Sequence, residues 1–294
     1  MPEMHTARWI TVGRWRIPVP FSIVHLPLFI QEDRHPYLGA AWDGSAGFLK
    51  VHHHQYHTFT HHRHHHQNPI HPITSHAFVS LLKACTSSRD LERGLDVYSE
   101  ISRFHCLQDD VFLGTALVDM YAKCGSLIRA QEVFDKLPVR NVVTWNALLT
   151  GCVDSGCGEE ALDYFEEMHL EGILPNAVTF VCILKACGVA QSLSLGEVIH
   201  VEIMKQNLLE RDVILGNALI DMYVKCSMLE RAQEAHDKLP RRNVISWSTF
   251  ISGYAQHGFG DKALDCWRKM KDEGLSPNAT TFIFVLKACG STGS

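Results

Sequence analysis

Val111-Phe-Leu-Gly-Thr-Ala-Leu-Val-Asp-Met-Tyr-Ala-Lys-Cys124 returns 102 residues later as Val213-Ile-Leu-Gly-Asn-Ala-Leu-Ile-Asp-Met-Tyr-Val-Lys-Cys226. The agreement runs on to Asn141 and Asn243, with 21 of 31 positions identical. Identity at a fixed offset marks a repeat array, and it decides the fold before any local pattern is weighed. Recurring Asn or Asp residues cut the chain into units of 36, 31 and 35 residues, twice over: 75–110, 111–141, 142–176, 177–212, 213–243 and 244–278. A seventh unit begins at 279 and reaches 294.

Each full unit reads as two helices. Leu117, Met120, Tyr121 and Cys124 follow i, i+3, i+4, i+7 spacing, one face of a first helix. Gly125 can take the positive φ that closes it. Leu127, Ala130, Phe134 and Leu137 form a second apolar face, which Pro138 stops. In the third unit Trp145, Leu148 and Leu149 open the first helix, and Ala161, Leu162, Phe165 and Met168 face inward on the second. Gly172 with Pro175, and Gly274 with Pro277, end the pattern. A lone helix pair cannot bury both faces, so each pair must stack on the next. The expectation is an all-α protein, an α-solenoid superhelix with six full repeats and a partial seventh, its first helices lining one wall. Packing alone explains the apolar residues just named.

The first 74 residues do not repeat. His52 to His54, His57, His61, His62 and His64 to His66 form a histidine-rich tract. Imidazoles can bind Zn, Cu or Ni. No cysteine or carboxylate accompanies them before Cys85, so the tract reads as a solvated low-complexity segment with no metal site. Residues 1–74 are expected to be largely disordered or transit-like, although a targeting peptide is unconvincing: Arg8, Arg14 and Arg16 are there, but serine is absent from the first 20 residues. The apolar run from Pro18 to Ile30 is short and broken by prolines, and no run approaches the ~20 residues of a membrane span.

The ten cysteines include no Cys-x-x-Cys pair. Cys85, Cys187 and Cys289 share one repeat position, and Cys124 and Cys226 another, as small buried residues would. The formal net charge is −5, which does not announce nucleic acid.

These strings resemble the pentatricopeptide repeat family. The alternation of lengths looks like its plant-type triplets of long, short and standard motifs. Leu82-Lys-Ala-Cys85 and Leu184-Lys-Ala-Cys187 mark the long units, Asp119 to Cys124 and Asp221 to Cys226 the short ones. Val143-Thr-Trp-Asn146 and Ile245-Ser-Trp-Ser248 open the standard units, which end Gly172-Ile-Leu-Pro-Asn176 and Gly274-Leu-Ser-Pro-Asn278. Two departures, Phe134 to His236 and Gly125 to Ser227, put a polar ring in a core position and weaken a helix stop.

The resemblance implies single-stranded RNA as partner, one base per repeat, read by the fifth and last residues of a unit. Carried over, these are Thr115 with Asn141, Asn146 with Asn176, Asn217 with Asn243, and Ser248 with Asn278. Such side chains can hydrogen-bond a splayed base edge. The long units present Val79 with Asp110 and Val181 with Asp212, expected spacers. By resemblance Thr or Ser with Asn prefers adenine and Asn with Asn a pyrimidine, giving a site 5′-nAYnYA-3′. The last residue of each unit also suits a helix N-cap, which would explain it without RNA. From Ile70 onward 21 Lys or Arg face 28 Asp or Glu, so attraction to phosphate must be local. Lys123 and Lys225, at one recurring first-helix position, are the candidate phosphate contacts. Lys83, Lys185 and Lys287 share another, while Asp163, Glu166 and Glu167 suit an outer face.

Some relatives carry a deaminase-like domain that edits cytidine in organelle RNA. Its chemistry needs His-x-Glu and Cys-x-x-Cys on zinc. His169-Leu-Glu171 and His200-Val-Glu202 match the first half only, so no catalytic residue, metal or cofactor is expected and the chain is not expected to be an enzyme. The expected role is an RNA-binding module in organelle RNA processing or modification such as C-to-U editing, in mitochondrion or chloroplast, with a separate editing or processing enzyme as a second partner. No membrane partner is expected. Ending inside a repeat, with Phe282, Val285 and Leu286 on an open apolar face, the chain reads as truncated. The alternatives are a protein-interaction scaffold of tetratricopeptide type, whose uniform 34-residue units the alternating lengths argue against, and a non-functional truncated family member.

Overall fold

The computed structural model describes residues 8–12, 15–19, 72–103 and 110–292. Most of the histidine-rich segment, including the tract itself, therefore lies outside the described residues, as does its expected disorder. Two short strands are described ahead of the helices. β1 (Arg8–Val12) and β2 (Trp15–Val19) pair antiparallel, with Val12 opposite Trp15.

Thirteen α-helices follow among the described residues. They are α1 (Pro72–Ser88), α2 (Leu91–Arg103), α3 (Val111–Lys123), α4 (Leu127–Lys136), α5 (Val142–Asp154), α6 (Gly158–Leu170) and α7 (Ala177–Ala190). Then come α8 (Leu193–Lys205), α9 (Val213–Lys225), α10 (Leu229–Asp237), α11 (Val244–Gln256), α12 (Gly260–Asp272) and α13 (Ala279–Thr292). α1 starts three residues before Ser75, at Pro72, where proline suits a first helical turn. Each odd-numbered helix packs on the next odd-numbered helix, from α1 to α13. The even-numbered helices cover them, α4 lying on α3 and α5, and α6 on α5 and α7. The result is the expected two-layer solenoid, first helices forming one continuous wall.

The unequal unit lengths have a structural source. The second helices α6, α8 and α12 each span 13 residues, whereas α4 and α10 span 10 and 9. The 31-residue units are short because their second helix loses about a turn. A 3-10 turn, Leu208–Glu210, lengthens the fourth unit between α8 and α9.

Most of the expected core residues are buried; Cys124, Cys226 and Leu127 are half-buried at its edge. Leu117, Met120, Trp145, Leu148, Leu149 and Met168 are all fully enclosed. Each such side chain contributes on the order of 1.5–3 kcal/mol relative to exposure. The edge of the Trp145 ring system meets Phe134 at 4.6 Å between centroids. His236 takes the place of Phe134 in the fifth unit, with its ring 4.3 Å from Trp247 and stacked at 5.1 Å on Phe250. It is fully buried, and Nε2 has no hydrogen-bond partner. Ser227 keeps the turn that Gly125 makes: φ is +61° there and +79° at Gly125, so the helix stop survives with a side chain in left-handed backbone. On the last helix the expected open face is corrected in one residue. Phe282 and Leu286 are exposed, but Val285 is buried at 7%. One step of helix turns it toward α11 and α12, which pack on α13.

Candidate nucleic-acid interface

The last residue of each unit caps the first helix of the next. Asp110 accepts the N–H groups of Phe112 and Leu113 at 2.9 and 3.1 Å. Asn141 takes those of Val143 and Thr144 at 2.9 and 3.0 Å. Asn176 accepts from Thr179 N at 3.1 Å, Asn243 from Ser246 N at 2.8 Å, and Asn278 from Thr281 N at 2.9 Å. The first turn of a helix leaves N–H groups without partners, and a short carboxamide reaches them. Each Asn oxygen is thus engaged by the backbone of the next first helix, which leaves its NH2 as a donor.

The fifth residues lie in the seam between neighbouring first helices. Asn146 Nδ2 donates to Asn176 Oδ1 at 3.2 Å, so this pair is in direct contact. Thr115 and Ser248 reach their asparagines through a hydroxyl. Thr115 Oγ1 is 2.7 Å from Thr144 Oγ1, and Ser248 Oγ is 2.6 Å from Thr281 Oγ1. Thr144 and Thr281 in turn donate to Asn141 and Asn278 at 3.2 and 2.9 Å. Asn217 is not joined to Asn243 in this way, and its buried Oδ1 has no partner. Thr115 and Asn217 are half-buried, whereas Asn146 and Ser248 are only 7% and 5% exposed.

Sequence reasoning missed a row of apolar side chains beside these pairs. Phe112, Val143, Val178, Ile214 and Ile245, the second residue of five successive units, are 79%, 58%, 55%, 66% and 57% exposed. Second and fifth residues are i, i+3 neighbours on one helix face. The signal was present: each apolar residue follows the cap by two places, outside the spacing that fills the core. A column of exposed apolar side chains next to polar pairs can pack against flat rings while the pairs meet their edges.

Lys123 and Lys225 end the same stripe. Thr115, Asp119 and Lys123 follow i, i+4, i+8 down α3, as Asn217, Asp221 and Lys225 do down α9. Both ammonium groups are exposed, and each pairs with the acid one turn back, Lys123 with Asp119 at 2.8 Å and Lys225 with Asp221 at 2.9 Å.

The partial zinc motifs are occupied otherwise. Glu171 accepts from Trp145 Nε1 at 3.2 Å and pairs with Arg140. His200 Nδ1 lies 2.9 Å from the Tyr223 hydroxyl. Burial holds both His169 and His200 below the ordinary histidine value. Cys152, Cys187 and Cys226 are pushed up by burial, the first two to about 12, which keeps them thiols. Among the described residues no three His, Cys, Asp or Glu side chains converge as a metal site would need, and no helix is long and apolar enough to cross a membrane.

Two family models match the chain. One, described as PPR repeat family, covers 140–188 and 242–291; the other, described as PPR repeat, covers 115–142 and 217–244. Together they take in about half of the chain, and both recur at the 102-residue offset. A chloroplastic pentatricopeptide repeat-containing protein of Arabidopsis thaliana is 39% identical over 215 residues, 73% of this chain and 34% of that protein. A mitochondrial one from the same plant is 36% identical over 216 residues, 74% of this chain and 38% of that protein. The chain thus spans about a third of the length of the curated relatives it matches. Among solved structures, the pentatricopeptide repeat protein PPR10 in complex with an 18-nt psaJ RNA element aligns with a TM-score of 0.62 at 21% identity, over 72% of this chain and 32% of that one. PPR10 from maize aligns with a TM-score of 0.57 at 24% identity, over 74% and 32%. Both likenesses concern the fold.

Proposed function

We propose, from the premise that this chain belongs to the PPR repeat family, that it is a sequence-reading module for single-stranded RNA, one base per repeat, built on the plant-type triplet of long, short and standard motifs. The observation that carries the reading is the coincidence of two rows on one face. Exposed Phe112, Val143, Val178, Ile214 and Ile245 stand i, i+3 from the fifth residues, and each terminal Asn, its oxygen engaged in the helix cap, keeps an NH2 to donate. Base rings stack on the apolar row, and their edges meet the pairs Thr115 with Asn141, Asn146 with Asn176, Asn217 with Asn243, and Ser248 with Asn278. A capping role alone gives no reason for exposed apolar side chains in five successive units.

The proposed site is 5′-nAYnYA-3′, with the backbone steered locally by Lys123 and Lys225. The solved relative with an RNA element lends weight to RNA as ligand. Chloroplastic and mitochondrial relatives lend weight to an organelle and to RNA processing or modification there, C-to-U editing included. The chemistry of such a step falls to a separate enzyme, for which this module supplies the address. Binding to oligonucleotides with each base varied in turn tests it. A U-to-G exchange at either Y position should weaken binding; equal affinity for all sequences, or capture of proteins without RNA after crosslinking in cells, would favour a protein-interaction scaffold.

A further inference from the structure

A third side chain is tied into three of the four reading pairs. The third residue of the following unit is Thr144, Thr179, Ser246 or Thr281, and all four are fully buried at the seam. Their hydroxyl protons can be followed. Asn141 Oδ1 can only accept, and Thr144 gives it a proton at 3.2 Å. Either hydroxyl could donate across the 2.7 Å gap between Thr144 Oγ1 and Thr115 Oγ1; with the Thr144 proton on Asn141, Thr115 is the donor. A hydroxyl has one proton and two lone pairs. Thr115 is left facing the edge with lone pairs, and Asn141, its oxygen held by two backbone N–H groups, faces it with NH2. Unit six repeats the arrangement. Either hydroxyl could donate across the 2.6 Å gap between Ser248 Oγ and Thr281 Oγ1; with the Thr281 proton on Asn278 at 2.9 Å, Ser248 is the donor.

Unit three has the opposite polarity. Thr179 has two acceptors in reach, Asn146 Oδ1 at 2.7 Å and Asn176 Oδ1 at 3.2 Å, and the shorter contact takes its proton; Asn146 Nδ2 donates to Asn176 Oδ1 at 3.2 Å. Both amide oxygens are then engaged within the seam, and each amide keeps N–H to offer. Unit five has no such tie. Ser246 spends its proton on the main-chain oxygen of Asn243 at 2.9 Å, and Asn217 Oδ1 stands without a partner.

We propose that Thr144, Thr179 and Thr281 are positioning residues that fix the hydrogen-bond polarity of the reading pair before them, and so decide between bases that carry an amino or an oxo group at the same place. The proposal rests on the RNA-reading function above. An acceptor beside a donor matches adenine, which offers the N6 amino donor next to the N1 acceptor. Inosine, with O6 as acceptor and N1–H as donor, sets lone pair against lone pair and N–H against N–H. Two donors match the adjacent acceptors N3 and O2 of cytosine, so unit three takes cytosine over uracil. Asn217, whose polarity no third side chain fixes, takes both pyrimidines.

The test is binding of the full chain to the proposed site with adenine or inosine at the base read by unit two. The wild type should favour adenine on the order of tenfold, the scale of one well-placed polar pair. Thr144→Val keeps the shape and removes the hydroxyl, freeing the Thr115 proton; the ratio should fall to within about threefold. Thr144→Ser should keep the wild-type ratio, and discrimination by unit six should be untouched in both. Thr281→Val should transfer the loss to unit six alone. A wild-type ratio in Thr144→Val, or an equal drop for adenine and inosine, would overturn the proposal, because a merely structural hydroxyl weakens both alike. The unaltered protein supplies a measurement that needs no variant: unit three should separate cytosine from uracil and unit five should not. Equal separation at both sinks the idea even if the variants do not fold. A wild type indifferent to every base would instead remove the RNA-reading function itself.

Discussion

The indole Nε1 of Trp247 donates to Glu273 Oε2 at 2.8 Å, and Arg242 holds the other oxygen of that carboxylate at 2.9 Å. Trp145, Glu171 and Arg140 repeat the arrangement one period earlier. Each knot ties the end of a unit's second helix to the start of its first, and the linker before it to both.

Glu273→Ala should lower the thermal midpoint by a few degrees. The carboxylate is a third exposed, so solvent screens its pairing with Arg242 and that part is worth little. The loss comes mainly from the indole N–H of Trp247, a residue 3% exposed, left without a partner. Such a group costs about 1–3 kcal/mol. Calorimetry of the two proteins decides it; an unchanged midpoint would mean that water replaces the carboxylate.

His236→Phe should stabilise the protein and blunt its sensitivity to acid. Burial holds His236 below the ordinary histidine value, with the Arg242 charge acting the same way and Asp237 and Glu273 opposing. The unfolded chain takes up its proton first, as pH falls through about 6.5. Stability is therefore intact above that value and lost progressively below it, toward the lower value of the folded state. Phenylalanine, which occupies the matching place at Phe134, removes both the unpartnered nitrogen and the titration, for a gain of about 1–3 kcal/mol. Urea midpoints at pH 7 and 5.5 should draw closer in the variant. His169 and His200, lowered by burial too, will keep part of the slope. An unchanged difference between the two midpoints would exonerate His236.

Ser227→Gly should stabilise by about 0.5–1 kcal/mol, and Gly125→Ala should destabilise by about 1 kcal/mol. The two residues close equivalent helices at φ of +61° and +79°, a conformation that strains any side chain with a Cβ. The exposed contact of Ser227 Oγ with His257 Nε2 at 3.1 Å is a small loss beside that relief. Denaturation of both variants should show shifts of opposite sign; a destabilised Ser227→Gly would make the His257 contact the stronger effect.

The helices, their pairing and the unit lengths were legible because periodicity is a global signal that one local exception does not erase. His236 could be named as a misfit from its place in the pattern. That its Nε2 lacks a partner could not, because this depends on which groups Trp247 and Phe250 bring to it. The caps were legible from residue type, and their Asn-x-x-Thr or Asn-x-x-Ser spacing at Asn176 and Asn243 already spelled a capping box. The seam was not: Thr115 meets Thr144 from 29 positions away, a contact set by how α3 lies on α5. Val285 shows the limit of the same reasoning at the last helix, where apolar character alone does not say which face has a neighbour.

Asp119→Asn together with Asp221→Asn should strengthen RNA binding and steepen its salt dependence. Lys123 and Lys225 stand on the stripe that carries Thr115 and Asn217, but each ammonium already has a carboxylate at 2.8 or 2.9 Å. A phosphate approaching Lys123 must compete with Asp119 and feels its repulsion, so few counterions are released and log Kd should vary weakly with log salt. Each phosphate neutralised adds about 0.7 to that slope on a single strand. Converting both acids to amides frees two cations and removes two like charges from the path of the RNA, so the slope should rise by about 1.4. Lys123→Gln with Lys225→Gln should flatten it further than the wild type. A wild-type slope that already implies six or more displaced ions would place the phosphate contacts elsewhere, and a double Asn variant with an unaltered slope would show that neither lysine touches the backbone.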